Sequence, residues 1–120
     1  MVKIERNSPV DASVMDAFLE AVPFTLPKDF LDFFIKSDGA EIRTEDYYVL
    51  LWPISEIMQL NEDYEVEEYA SGFFLFGSDG GGSAYAIEKT TGFIFELPFI
   101  GMSKDEAVFK SKTFTDFIGA

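Results

Sequence analysis

The sequence predicts an α+β fold in which an antiparallel sheet of about four to six strands is flanked by helices. Apolar residues recur at helical spacing through residues 12–36, while short apolar runs separated by glycine-containing turns occupy residues 73–97. The connections between those runs are short, which favours antiparallel pairing. We expect residues 1–120 to form a single domain, because the length suits one core and no linker or repeat interrupts the sequence.

Two helices are predicted before the first strand. The first covers about residues 12–22 and carries an apolar stripe that ends before a proline. The second begins after Pro27, buries a broad phenylalanine-rich face and ends at Gly39, which can adopt the left-handed conformation. Residues 47–52 have the composition of a β-strand, and residues 54–61 continue with helical spacing.

The C-terminal half is predicted to be a meander closed by a helix. Strands are expected at about 73–76, 84–87 and 93–97, and Thr113 can cap a final helix. The glycine-rich segment 77–82 joins the first two of these strands. Such a loop can bind phosphate or calcium, but no Gly-Lys-Ser/Thr motif follows it and alternating calcium ligands are missing. A tight turn explains the glycines better.

The chain contains no cysteine and no histidine. Disulfides, thiol nucleophiles, imidazole bases and a Ser-His-Asp triad are therefore excluded. Carboxylates can still act as acids and bases or bind calcium, so a carboxylate enzyme and a calcium binder stay open as weaker alternatives. We expect no catalytic residue, no metal and no cofactor. Since no apolar run reaches membrane-spanning length and the N-terminus does not resemble a signal peptide, we expect a cytoplasmic protein.

Negative charge is concentrated in the middle of the sequence. The formal net charge is −13, and residues 38–69 alone hold ten acids against one base. This balance opposes binding to nucleic acid and to anionic membranes, and it favours a basic protein partner. Residues 62–68 place five acids in seven positions, which fits either a solvated loop or a docking strip for the lysines and arginines of a partner.

The docking interpretation nominates a set of partner-binding residues, mostly acidic and mostly from this middle segment. Tyr64 belongs to it because tyrosine is favoured in interfaces and its neighbours are acidic, whereas Trp52 is expected in the core. The nominated residues are Glu45, Asp46, Glu62, Asp63, Tyr64, Glu65, Glu67, Glu68 and Asp79.

Several short motifs follow one another along the chain. They are Leu26-Pro27-Lys28-Asp29-Phe30 with Phe33-Phe34, Leu51-Trp52-Pro53-Ile54-Ser55-Glu56-Ile57 with Asn61, the glycine-rich segment, Tyr85-Ala86-Ile87-Glu88, Thr91-Gly92-Phe93-Ile94-Phe95-Glu96-Leu97-Pro98 and Phe114-Thr115-Asp116-Phe117-Ile118. Their order resembles the SUKH superfamily, which includes yeast cell-wall regulators of the Smi/Knr type and many bacterial immunity proteins. The resemblance covers about residues 24–118. Asp38-Gly39 departs from the usual Asn-Gly of the family, although aspartate also tolerates left-handed geometry.

The resemblance implies an antiparallel sheet with flanking helices and a binding role without catalysis. Bacterial members resemble antitoxins for secreted or contact-delivered toxins, often nucleases, so a basic toxin domain is the expected partner. A regulatory scaffold that binds cellular proteins, as the yeast members suggest, is the alternative. The sequence leaves a monomer and a homodimer open, since several strands are apolar enough for a dimer. The resemblance transfers no site residue, because the family recognises diverse partners through diverse surfaces.

Overall fold

The computed structural model describes residues 2–119. Its helices are α1 (Ala12–Ala21), α2 (Lys28–Lys36), α3 (Ile54–Asp63), α4 (Val66–Tyr69) and α5 (Phe114–Ile118). Its strands are β1 (Lys3–Arg6), β2 (Ala40–Arg43), β3 (Tyr48–Leu51), β4 (Phe73–Ser78), β5 (Ser83–Glu88), β6 (Ile94–Pro98) and β7 (Val108–Ser111). A 3₁₀ turn covers Lys104–Glu106.

Helices around an antiparallel sheet confirm the predicted α+β class, but the predicted count of about four to six strands is wrong. Within residues 2–119, seven strands form one sheet in the order β1-β2-β3-β4-β5-β6-β7, and every neighbouring pair is antiparallel. The strands that the sequence did not reveal are β1, β2 and β7, each of only four residues. So short a run shows too little alternation to stand out, and charged residues further mask the edge strands β1 and β7.

Phenylalanines of α2 and α5 cover the middle of the sheet. The ring of Phe30 in α2 lies 5.6 Å from that of Phe76 in β4 and 5.2 Å from that of Phe114 in α5. The ring of Phe117, also in α5, lies 4.8 Å from that of Tyr85 in β5. These side chains are fully buried, and burial of each stabilises the fold by roughly 1.5–3 kcal/mol. The aromatic layer therefore fixes both helices to the sheet.

The turn after α2 positions the start of α3. Gly39 has φ 82°, and a Cβ there would lie 2.6 Å from the carbonyl oxygen of Leu51, so only glycine fits. The N–H of Ile54, at the start of α3, donates a hydrogen bond of 2.7 Å to the carboxylate of Asp38. A negative charge at the positive end of a helix is stabilising. The aspartate that replaces the usual asparagine of the SUKH pattern thus caps the helix that follows β3.

The longest helices, α1 and α3, have ten residues each. None of the helices formed by residues 2–119 is long and apolar enough to cross a bilayer, which needs about 20 apolar residues.

Candidate protein-binding groove

The acidic run 62–68 is mostly helical, not a loop. It spans the end of α3, a sharp turn and the start of α4. At the turn Glu65 has φ 53° and ψ 47°, and among residues 2–119 it is the one non-glycine residue with positive φ. Its carbonyl accepts hydrogen bonds from the N–H groups of Glu68 (3.0 Å) and Tyr69 (3.1 Å), which begins α4. A glutamate in this conformation costs about 1 kcal/mol or more.

Asn61 holds α3 against the sheet. Strand β3 pairs with only the last residues of β4, because the chain turns away at Pro53, and the edge of β4 is left open beyond that point. The Asn61 side chain fills the gap, since its amide donates to the carbonyl of Leu75 and accepts from the N–H of Leu75, both at 2.9 Å. A second donor bond reaches the carbonyl of Ile57 at 2.9 Å. One side chain thereby replaces a missing strand residue.

A groove of about 640 Å³ lies between the α3–α4 segment and the start of β4. Its floor is apolar and comes from Met58, Val66, Phe73 and Phe74. Its rim is acidic and comes from Glu62, Glu65, Glu67 and Glu68, all exposed to solvent. Pro23, Asn61 and Lys89 complete the lining. Both the size and the mixture of an apolar floor with a few charged groups are typical of binding sites.

Lys89 is the single basic residue in the lining of the groove. Its ammonium group pairs with the carboxylate of Glu67 and lies 5.9 Å from the centre of the Phe24 ring. The lysine side chain is only 19% exposed, whereas that of Glu67 is 72% exposed. Four glutamates against one lysine leave the groove strongly negative.

The negative charge around the groove affects the pKa of a tyrosine beside it. Tyr69 lies on α4, and its side chain is half exposed. The carboxylates of Glu68 and then Glu65 raise the pKa of its phenol above the usual value, because an anionic phenolate next to them is unfavourable.

Two nominated residues of the same run point away from the groove. The carboxylate of Asp63 accepts a hydrogen bond of 2.8 Å from the side chain of Gln59. The ring of Tyr64 packs 4.6 Å from the ring of Phe99, which in turn stacks on Trp52. Tyr64 is 38% exposed and remains accessible at this second surface. Trp52 is buried, as expected from the sequence.

The other nominated residues lie at the opposite end of the sheet. Glu45 and Asp46 form the tip of the β2–β3 hairpin, and Asp79 lies in the β4–β5 turn. The register pairs Leu50 with Ser78, so this tip is near the end of β4, whereas the groove contacts its start. The carboxylate of Asp79 accepts hydrogen bonds from the N–H groups of Gly81 and Ser83, which makes it a turn-stabilising group. The structure therefore divides the nominated residues among the groove, the surface around Tyr64 and the turns at the opposite end of the sheet.

The groove is suited to binding a cation. Within residues 2–119, no group of three or more acidic side chains is arranged as metal ligands would be. The rim glutamates can accept hydrogen bonds from lysine or arginine, and the floor can bury apolar atoms.

The comparisons with known proteins give a family match. A family model described as the SMI1 / KNR4 family (SUKH-1) matches residues 9–120. The chain belongs to the SMI1/KNR4 family. The match confirms the resemblance drawn from the motifs and extends it toward the N-terminus. A comparison with curated proteins gives no match.

Several groups of this SUKH-1 groove were not found from the sequence. Asn61 belonged to the family pattern, yet its role became visible only with the unpaired edge of β4 beside it. Lys89 and Pro23 lie far from the acidic run along the chain, and the sequence assigned Phe73 only to a strand. The acidic run was the single signal that pointed to this surface.

Proposed function

We propose that this SUKH-1 protein is a non-catalytic binding domain, an immunity protein that neutralises a bacterial toxin such as a nuclease by covering its basic surface. The observation that carries the proposal is the groove with an apolar floor and four glutamates on its rim. Family membership supports a binding role. Of the nominated residues, Glu62, Glu65, Glu67 and Glu68 are those on which the proposal rests.

The charge of the whole chain supports the same function. A nuclease that grips phosphates presents lysines and arginines, and a domain with a net charge of −13 is attracted to them at long range. Contact then depends on the apolar floor, which works at any salt concentration, and on the glutamates, which weaken as ions screen them over about 8 Å at physiological salt. Such a complex blocks the nucleic-acid site without any reaction.

Co-expression with a toxin, should the neighbouring gene encode one, tests the proposal. We expect the protein to restore growth, to co-purify with the toxin in a stoichiometric complex, and to lose affinity steeply as salt is raised. Failure to restore growth, together with failure to form a complex, would contradict an immunity function.

A regulatory scaffold for cellular proteins is the second candidate, because the SMI1/KNR4 family model does not separate the two roles. The gene next to this one discriminates between them, since a toxin gene there favours immunity. A calcium binder would gain thermal stability when calcium is titrated, through preferential binding to the folded state. Location in the cytoplasm, one domain over residues 1–120, and the choice between monomer and homodimer stay predictions.

A further inference from the structure

The two parts of the groove together limit what can fill it. The floor of Met58, Val66 and Phe74 is apolar, and the rim above it is negative. A small cation would leave the floor uncovered, and a purely apolar side chain would leave the glutamates without a partner. An occupant that satisfies both parts has a long apolar stem and a cationic head.

The protein already places one such side chain at the edge of the groove. Lys89 lies with its stem mostly buried and its ammonium on Glu67, beside the ring of Phe24. The remaining rim glutamates, Glu62, Glu65 and Glu68, form no ion pair with a lysine or arginine of residues 2–119. The volume of about 640 Å³ is present with Lys89 in position. A second cation therefore has both space and partners.

We propose that the groove binds an arginine side chain of the partner protein, with an apolar neighbour of that arginine seated on the floor. The inference rests on the proposed function, because it names what the partner contributes at the same site. Arginine fits better than lysine, since its planar fork bridges two carboxylates, its head is weakly hydrated, and it stacks on aromatic rings. In this arrangement Lys89 opposes binding, because it repels an incoming cation and neutralises Glu67.

A pair of peptides tests this directly. One is a capped peptide with arginine between two leucines, and its twin carries citrulline, which has nearly the same shape without the charge. Each is titrated into the full chain while the backbone amides are followed by NMR. We expect the arginine peptide to shift amides between Glu62 and Tyr69 and at Lys89, and the citrulline peptide to shift them far less.

The Lys89→Met variant then tests the role of the internal lysine. It removes the charge and keeps the stem, so we expect the arginine peptide to bind roughly threefold more tightly, as removal of a like charge within several ångströms implies. The matched control is Lys28→Met, which removes a 90% exposed lysine on α2 and is expected to leave the affinity unchanged. Thermal unfolding of each variant shows whether the fold is intact.

Equal shifts from both peptides, shifts centred on Glu45 and Asp46, no shifts at saturating peptide, or an unchanged affinity in Lys89→Met would each overturn the inference. These outcomes are separable from the immunity test. A chain that rescues growth but ignores the arginine peptide binds its toxin through another contact. A chain that binds the peptide but neither rescues growth nor forms a complex keeps the arginine site and loses the immunity function.

Discussion

The two acidic surfaces of this protein differ in what lies beneath the charge. At the β2–β3 tip, Glu45 and Asp46 stand over tightly packed rings, with Tyr47 stacked on Phe117 at 5.5 Å and Lys110 lying 4.9 Å over Tyr47. At the α3–α4 segment the glutamates surround a groove of about 640 Å³ with an apolar floor. Charge density alone therefore does not make a docking surface. The space beneath the charge decides whether a partner can bury anything there.

Hydrogen bonds also hold the residues of the tip to one another and to α5. The hydroxyl of Thr44 accepts hydrogen bonds from the N–H groups of Asp46 and Tyr47, and donates to the carbonyl of Tyr47 at 3.0 Å. The hydroxyl of Tyr47 donates to the carbonyl of Phe117. These bonds stabilise the corner between the sheet and α5, which favours a structural role for the tip.

The largest effect is expected from Asn61→Ala, which removes the side chain that holds the groove wall. Two backbone groups of Leu75 lose their partner, so we expect the free energy of unfolding to fall by about 3 kcal/mol, at roughly 1–3 kcal/mol for each unsatisfied group. Urea denaturation measures it. The matched change at the tip is Thr44→Ala, with an expected loss of about 1 kcal/mol. Equal losses would contradict the role given to Asn61.

Alkaline unfolding is expected to depend chiefly on the phenols of Tyr85 and Tyr47, which are more buried than that of Tyr69 beside the groove. Burial, followed by the charges of Glu96 and Asp79, raises the pKa of the Tyr85 phenol, and burial followed by Asp46 raises that of Tyr47. A raised phenol pKa gives stability that is complete below the unfolded value of about 10 and is lost as pH rises toward the folded value. We expect the urea midpoint of the wild type to decrease as the pH is raised above about 10.

The Tyr85→Phe variant sharpens this test, since it cannot ionise at that position. Its urea midpoint should decline less steeply above a pH of about 10. A decline equal to that of the wild type would show that burial of this phenol does not govern alkaline stability.

A smaller effect is expected from Glu65→Gly, which should raise the stability of the protein and lower its affinity for a basic partner. Glycine tolerates the left-handed conformation, so we expect the protein to gain about 0.5–1 kcal/mol of stability. The same change removes a rim carboxylate and should weaken binding to a basic partner. The control is Glu62→Gly, which removes equal charge within α3 and should destabilise the protein by about 1 kcal/mol. A loss of stability in Glu65→Gly would contradict the strain at this turn.

The smallest effect is a shift in the titration of Tyr69. Because Glu68 contributes most to the raised pKa of its phenol, Glu68→Gln should lower that pKa toward about 10. Asp46→Asn at the tip should leave it unchanged. Ultraviolet absorbance of the phenolate, read in variants that lack the other tyrosines, measures the shift. No change in Glu68→Gln would mean that the groove field does not reach Tyr69.

The parts of the fold that followed from the sequence are those with long or strongly apolar patterns. The phenylalanines of α2 and the run at 73–76 each bury a continuous surface, so their periodicity is visible without the rest of the molecule. Strands β1, β2 and β7 are short and were recognisable only through the neighbours that they pair with. Local pattern does not encode such pairing.

The candidate site was likewise predictable from the sequence only in part. The acidic run predicted where charge is dense, yet four of its carboxylates line the groove while Asp63 turns toward Gln59. That division depends on the turn at Glu65, whose left-handed geometry is unusual for glutamate. Lys89 reaches the groove from the far end of β5. Tertiary packing determines which residues meet in the groove, and this cannot be predicted from composition.

We expect recognition of the partner to depend on the groove and not on the tip. Two double variants with equal changes in charge test it most directly, Glu65→Gln with Glu68→Gln at the groove and Glu45→Gln with Asp46→Asn at the tip. Their affinities for a toxin that the wild-type protein neutralises are measured by calorimetry at physiological salt. We expect the groove pair to lose about tenfold or more and the tip pair about twofold or less. Equal losses, or a larger loss at the tip, would contradict this account.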